Sequence, residues 1–295
     1  MLDRASTFAD PEIVKLLQTR FVPVAIDQAY QRRQQDTEGE FYRKIAGQGP
    51  RNNFQGTTQG LYVATADGKL LSFSNNRGAE RIRRMLKESL QSPKETDVAV
   101  VEEDKVDPRF NPQPPAGGLI VRVRAKVLGG YEETDDQWRQ IFQSAVSRDN
   151  LWISKSEHQA LVRGDVPASL QRRIAKFHLV DNTRGEPPMW NDQEIRNVAM
   201  KLTGNRLSGT VHLETKDGQR GYHADLLGVV DVKDGKVVRF DVVAHGDFWG
   251  DGTYTKGAPK GKFPLAVTFQ LADGSDVADG IPPQASRGWV DGYIR

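Results

Sequence analysis

Three of the five histidines in this chain, His212, His223 and His245, fall in its last third. Neutral imidazole is a common ligand for zinc, copper and iron. Three protein ligands with one coordination position left open are the pattern of a catalytic metal site. The three side chains can do this chemistry only if the strands that carry them bring them together, so the pairing of those strands is the first question.

The turn at Asp217-Gly218 predicts the first pairing. Apolar residues occupy odd positions before this turn and even positions after it, so an odd residue must oppose an even one if both sets share a face. A two-residue turn, the favoured loop of a β-hairpin, gives that parity. We therefore expect His212 directly opposite His223.

The turn around Asp234-Gly235 predicts the second pairing. Apolar residues of the following strand again occupy even positions, so even must oppose even. A three-residue loop that starts at Lys233 and ends at Gly235 gives this parity. This loop predicts His223 opposite His245, so that the three histidines form one row across three adjacent strands.

Three carboxylates are predicted on the same sheet face: Glu214, Asp225 and Asp247. We expect them to act as catalytic groups, as a fourth ligand, or as hydrogen-bond partners that orient the histidines. The alternative is a solvated sheet face that carries three histidines by chance. Leu227, Val229 and Val243 are predicted on that face too, and their apolar character favours partial cover and hence a pocket.

The strands of this face belong to an α+β region, residues 119–295. A strand at the start of this region and helices near Trp138 and after Pro167 precede an antiparallel meander, whose apolar residues alternate with period two. The loop "DNTRGEPPMW" at 181–190 is predicted either to line a binding site or to connect two elements. His158 and His178 lie in helical patterns and are predicted as surface or packing residues.

Residues 1–92 carry a different pattern of elements. Asp10-Pro11 predicts the start of a helix, because aspartate caps a helix and proline fits its first position. "RFVPVAID" at 20–27 predicts a buried strand, and "TEGE" at 37–40 has capping-box spacing. "GLYVATADGKLLSF" at 60–73 predicts a hairpin, and "GAERIRRMLKESL" at 78–90 predicts an amphipathic helix.

Two segments of this region, "STFADPEIVKLLQTRFVPVAID" at 6–27 and "GTTQGLYVATADGKLLSF" at 56–73, resemble the thioredoxin-like protein family. The similarity is to bacterial members related to the N-terminal domain of spermatogenesis-associated thioredoxin-like proteins, and it covers about residues 2–91. The resemblance implies a thioredoxin-like α/β N-terminal domain. In that family a Cys-x-x-Cys pair precedes the first segment and would lie before Met1, and Thr58 stands where a cis-proline is expected.

The chain contains no cysteine, so thiol–disulfide exchange and zinc–thiolate ligation are excluded for the residues given. The first domain is therefore predicted to be redox-inactive. Residues 93–118, which are rich in proline and acidic side chains, are predicted to be a linker between residues 1–92 and 119–295.

Bulk composition narrows the class of partner. Lysine and arginine number 41 against 39 aspartate and glutamate residues, a net charge of +2, so no nucleic-acid footprint is expected. No apolar run approaches the roughly 18 residues of a membrane span, so no membrane partner is expected. The start shows no signal-peptide pattern. This is expected of a cytoplasmic protein, or of an extracytoplasmic one from which a signal segment was removed.

Three hypotheses on function follow from these patterns. The first is a redox-inactive thioredoxin-like protein whose histidine-lined sheet face binds a divalent transition metal (zinc, copper or iron) for binding or catalysis. The second is a non-catalytic binding or scaffold protein with a protein or small-molecule partner. The third is a truncated thiol–disulfide oxidoreductase whose cysteines lie upstream of Met1.

Overall fold

The computed structural model describes residues 6–76, 78–92, 107, 109–110, 112–286 and 290–294. The chain divides into two compact units, an N-terminal unit, Asp3–Pro112, and a C-terminal unit that extends from Gln113 to Arg295. Most of the predicted linker, residues 93–106, 108 and 111, lies outside the described residues. Asp107, which also falls in the predicted linker, is buried, and its backbone amide donates to a carboxylate oxygen of Asp36 at 2.7 Å.

The N-terminal unit is a small mixed structure with a two-stranded sheet. After a 3₁₀ turn its elements are α1 Pro11–Arg20, α2 Gln28–Gln31, α3 Thr37–Gly47, β1 Leu61–Ala64, β2 Leu70–Ser74 and α4 Ala79–Ser89. Asp10 caps α1 by accepting from the amides of Glu12 and Ile13, both at 3.0 Å. The core packs Ile13 and Val63 against the apolar face of α4, as the helical spacing of Ile82 and Leu86 predicts.

The predicted buried strand at residues 20–27 is wrong. Residues 21–27 form neither helix nor strand, and Val22 and Val24 are 90% and 76% exposed. Pro23 has no amide to donate to a ladder, and β1 and β2 pair only with each other, so no described strand offers a partner. A helix–hairpin–helix order remains, and it does not confirm a thioredoxin-like fold.

The C-terminal unit is built on a seven-stranded antiparallel sheet, which confirms the predicted α+β class with an antiparallel meander at this coarser level. The order of its strands is β4-β3-β9-β8-β7-β6-β5. Their bounds are β3 Leu119–Val127, β4 Asp149–Ile153, β5 Ile195–Thr203, β6 Arg206–Glu214, β7 Gly221–Lys233, β8 Lys236–Trp249 and β9 Lys262–Leu271. Consecutive strands from β5 to β9 are neighbours, so the chain continues across the sheet through hairpins.

Helices in this unit are short and lie mainly before β5. They are α5 Gln137–Ser144, α6 Lys155–Val162, α7 Ala168–Arg173 with a π-helical turn at Ile174–His178, and α8 Val290–Ile294. Ser154 and Glu157 form a complete capping box at the start of α6. Among the described residues, no helix is both long and apolar enough to cross a membrane.

One face of the large sheet is buried, and the other face carries the histidines. Along β7, Tyr222 and Leu226 are fully buried, whereas Leu227 is 61% exposed, as a period of two requires. The buried face packs with Leu161 of α6, Leu170 of α7 and other apolar side chains in one core. The histidine-bearing face is therefore exposed to solvent, and the opposite face of the sheet packs on the hydrophobic core.

Candidate metal centre

His212 and His223 lie directly opposite each other on β6 and β7, as the first turn predicts. The loop of this hairpin is longer than the expected two residues. The last pair before it is Thr215 with Arg220, joined by a 2.9 Å amide–carbonyl hydrogen bond, so the loop consists of residues 216–219. A wider loop centred on the same residues keeps the parity, so the register is unchanged. The two imidazole rings meet edge to face, with their centres 3.9 Å apart.

Glu214 completes a cluster with this histidine pair. Its Oε2 atom lies 3.0 Å from Nε2 of His212, and one ligand atom from each of Glu214, His212 and His223 lies within 4.8 Å of the other two. His212 and Glu214 are half-buried, with 39% and 34% of their side chains exposed. Three potential ligands thus converge on a partly desolvated point of the sheet surface.

The electrostatic environment favours the metal-binding forms of two of these groups. The hydrogen bond from His212 lowers the pKa of Glu214, and the positive charges of His212 and His223, when protonated, act in the same direction. Burial lowers the pKa of His223, and the nearby His212 and Lys262 lower it further. An ionised carboxylate and a neutral imidazole are the forms that coordinate a metal.

The predicted pairing of His223 with His245 is wrong by two residues. His223 lies opposite Asp247, and His245 lies opposite Asp225. Two residues of strand correspond to about 6.8 Å along β8. All three histidines still share one face, but His245 stands beside the next row of the sheet. Within the described residues it forms no three-ligand cluster with the other two.

The cause of this shift is a tight turn followed by a bulge. Asp234 and Gly235 both have positive φ, 50° and 72°, which is the two-residue type I′ turn rather than the expected three-residue loop. Val232 then pairs with Val237 and Asp231 with Arg239, so Val238 is an extra residue on β8. The two-residue turn alone would place even-numbered residues of β8 opposite odd-numbered residues of β7. The extra residue shifts the pairing by one, so that even-numbered residues lie opposite even-numbered ones, and Val238 itself is 53% exposed.

The indole of Trp249 forms a wall beside the cluster, and the sequence analysis did not predict Trp249 as a site residue. Its indole lies over Gly221, where an added Cβ atom would come within 2.1 Å of Trp249 Cζ2. Its Nε1 atom donates to the carbonyl of Gly218 at 2.9 Å, and its ring centre is 5.2 Å from that of His223. A glycine in a strand, paired with tryptophan on the neighbouring strand, is the signal that would have revealed this packing.

The remaining predicted site residues line a shallow groove of about 470 Å³ that also includes His212 and His223. Asp225, His245 and Asp247 are exposed there. Of the three apolar side chains predicted to cover this face in part, Leu227 is 61% exposed, whereas the two valines are half-buried. The groove is open to solvent and accessible to a ligand, because the three acidic and histidine side chains named above are exposed.

The loop at 181–190 is a connector in its buried part. Asp181 and Arg184 are almost fully buried, and their charged groups lie 2.7 Å apart. Within the described part of the chain, Oδ2 of Asp181 and Nη2 of Arg184 have no hydrogen-bond partner. Trp190 donates to the carbonyl of Leu179, and the Arg220 guanidinium stacks over its ring at 4.0 Å. These groups hold the loop against the core and are not available to line a site.

His158 and His178 are packing residues. His178 is buried and bonded to the hydroxyl of Tyr293 at 2.6 Å, with Asp149 3.2 Å from its other ring nitrogen. His158 accepts from the amide of Val237 and contacts the carbonyl of Gly117. Each ring therefore joins separate segments of the C-terminal unit.

Comparisons with known proteins add no further constraint on the site. No protein-family model, curated protein or solved structure matches this chain. The chemistry of the cluster therefore has to be inferred from its own residues.

Proposed function

We propose that the C-terminal unit binds one divalent transition metal ion through His212, His223 and Glu214, for binding or catalysis. The observation that carries this proposal is the mutual distance of the three ligand atoms, within 4.8 Å. Two imidazoles and one carboxylate are the protein ligands of one class of catalytic zinc site. The same set binds iron in oxygenases, and imidazole also suits copper. Zinc, copper and iron are the candidates.

The cluster needs only side-chain movement to close on a metal. Zinc–nitrogen bonds of about 2.0–2.1 Å in a tetrahedron place ligand atoms roughly 3.4 Å apart. Glu214 and His212 are already 3.0 Å apart, so a bound ion would take the place of their direct hydrogen bond. The ring nitrogen of His223 has to move by about 1–2 Å, which a rotation of its side chain provides. Its exposure and position at the open face leave room for that rotation.

Three protein ligands would leave a coordination position for a water molecule or a substrate atom, and the groove gives access to it. Asp247 lies directly opposite His223, a relation that brings Cβ atoms to about 4.5–5.5 Å. Asp247 would orient His223, or would act as a general base beside the bound metal. Asp225 and His245, one row further along the groove, are proposed to contact the ligand rather than the metal.

For the N-terminal unit we propose a redox-inactive relative of the thioredoxin-like domain, a scaffold or partner-binding module. The resemblance of residues 2–91 and the helix–hairpin–helix order support this assignment. Two facts support the absence of redox chemistry. The chain has no cysteine, and Thr58 is a buried hydrogen-bonding residue, 2.6 Å from the Tyr42 hydroxyl.

A non-catalytic binding function is the second candidate for the whole chain. The observation that favours it is the openness of the groove, because catalytic sites gain from excluding water. Under this alternative the histidine-bearing face is a contact surface for a protein or small molecule, and no metal is required.

Metal analysis of the purified protein separates the two candidates. We expect close to one equivalent of zinc, copper or iron per chain, and we expect the metal-free protein to recover this stoichiometry on dialysis against zinc. Saturation at 100 times Kd should stabilise the fold by about 2.7 kcal/mol. For a unit of this size that corresponds to about 5–11 °C in Tm. A metal-free protein whose Tm is indifferent to all three ions would leave only the binding or scaffold function.

A further inference from the structure

Two cationic side chains flank the proposed metal centre, one on each side. Arg196 lies on β5, beside His212 and Glu214. Lys262 lies on β9, beyond Trp249. Both are exposed. Within the described residues neither forms an ion pair with a carboxylate, in contrast to Lys260 and Arg239 on the same unit.

Arg196 owes its position to a bulge. Ile195 pairs with Leu213 and Asn197 pairs with His212, so Arg196 is the extra residue of β5 at this point. Bulges redirect a side chain out of the regular alternation, and they are frequent next to functional sites. Asn197, the next residue along β5, is paired with His212, so Arg196 lies next to the row of the proposed ligand.

Lys262 owes its position to Trp249. The two residues are directly paired across β8 and β9, and the Lys262 ammonium lies 4.7 Å from the centre of the Trp249 ring. Because the His223 ring is 5.2 Å from the same centre, the ammonium and the imidazole are no more than about 10 Å apart. The indole thus holds a positive charge near the proposed ligand His223.

The charges around the centre leave a net attraction for anions. By formal charge, the carboxylates of Glu214, Asp247 and Asp225 exceed the cations of Arg196 and Lys262 by one. A divalent metal ion at the cluster would then give the site a net charge of +1. A half-exposed site of this kind attracts a negative ligand, and the attraction weakens as salt is added.

We infer that the open position of this centre takes the oxyanion of an acidic ligand, a carboxylate or a phosphate, with Arg196 and Lys262 as its charge partners. This inference rests on the proposed metal site. Arginine provides a fork of donors that matches either oxyanion, and lysine provides a mobile point charge. The ligand class is therefore an organic acid or a phosphorylated compound that lies across the sheet between β5 and β9.

Cobalt(II) provides the test, because its visible absorption reports a change of ligands at the metal. The full-length protein is loaded with cobalt and titrated separately with acetate and inorganic phosphate. The same titrations are made with the R196Q and K262Q variants. Lys201→Gln is the matched control, an exposed cation on β5 away from the cluster.

We expect the spectrum of the wild-type cobalt protein to change on saturation with at least one anion, and the effect to shrink as KCl is raised. R196Q and K262Q should each weaken anion binding about two- to fivefold, while cobalt affinity stays equal or rises because a repelling charge is gone. K201Q should behave as wild type. A cobalt spectrum that neither anion changes, or equal anion affinity in all four proteins, would overturn the inference and leave the metal site intact. Failure of the wild type to bind cobalt would overturn the metal site as well.

Discussion

Asp247 of β8 lies directly opposite His223 of β7. A carboxylate beside the central imidazole is the arrangement by which many proteins fix the ring of a metal-binding histidine and raise its basicity. Asp247 exerts that influence already in the metal-free protein, where its negative charge is among the factors that oppose the lowering of the His223 pKa by burial, by His212 when it is protonated, and by Lys262.

We therefore predict that Asp247→Asn weakens zinc binding by about 10- to 100-fold, the usual effect of losing such a partner. Asp225→Asn is the matched control, since this aspartate shares the exposed face but lies opposite His245. Its effect on zinc affinity should be less than about threefold. Calorimetric titration with zinc measures both affinities. Equal affinities for the two variants would remove Asp247 from the site.

Acidification should weaken metal binding below about pH 6.5. The ordinary pKa of histidine is 6.5, and burial lowers the pKa of His223 below it. The folded protein therefore keeps this imidazole neutral above that pH and protonates it only at lower pH. Glu214 stays ionised throughout this range, because its pKa lies below its ordinary value of 4.5. Zinc affinity measured from pH 8 to pH 5 should be nearly flat above pH 7 and then fall with each added proton.

The same pKa shift of His223 predicts a small change in the stability of the metal-free protein. Because its pKa is lower in the folded state, the unfolded chain takes up the proton first as the pH falls. The contribution of His223 to the free energy of unfolding is thus lost as the pH falls from 6.5 through the folded pKa. Urea unfolding of the metal-free protein measures this change, and a pH dependence that is the same in His223→Ala as in the wild type would contradict it. A metal affinity that rises on acidification would contradict the prediction for zinc binding.

Gly221→Ala should disturb the wall of the site without touching a ligand. The added Cβ would come within 2.1 Å of Trp249 Cζ2, so the indole has to move. Overpacking of this kind costs about 1–3 kcal/mol in unfolding free energy. Tryptophan fluorescence and urea unfolding report the two effects. Gly280→Ala is the control, because a Cβ atom added there would have nothing within 4 Å.

Arg173→Met should severely destabilise the C-terminal unit. Arg173 and Glu157 are buried and 2.6 Å apart, and Arg173 also donates to the carbonyl of Tyr293 at 2.7 Å. Removal of the cation leaves Glu157 buried without its charge partner, which costs about 3–5 kcal/mol. The neighbour Arg172 is the control, since its pair with Asp192 is half exposed and worth at most about 1 kcal/mol. Comparable unfolding free energies for Arg173→Met and Arg172→Met would refute this assignment.

The sequence predicts which face of the sheet the histidines share, but it does not predict the register of every strand pair. Alternation alone places His212, His223 and His245 on one face, because parity survives any even shift of a strand. Register needs the local geometry of each loop. The type I′ turn at Asp234-Gly235 and the bulge at Val238 change the pairing together and leave the parity as it was. No pattern in the sequence distinguishes that combination from a single three-residue loop.

The prediction of a strand around Val22 is wrong for a different reason. A run of apolar residues predicts burial only if a neighbouring strand is there to pair with it, and β1 and β2 form a hairpin by themselves. Trp249 was missed because its role depends on a glycine on the adjacent strand, which is a contact between positions far apart in sequence. The sequence therefore located the histidines and placed Glu214 on their face, but the structure was needed to show that Glu214 rather than His245 completes the cluster and that Trp249 lies beside it.

Calorimetric titration of zinc into the metal-free His223→Ala and His245→Ala variants tests the central claim most directly. Both histidines are exposed on the same face, so either substitution should leave the fold unchanged. The metal centre of His212, Glu214 and His223 predicts that His223→Ala abolishes binding, while His245→Ala retains the stoichiometry and an affinity within about threefold of wild type. Equal loss of binding in both variants would restore His245 as a ligand and contradict the site, and unchanged binding in His223→Ala would show that zinc binds elsewhere.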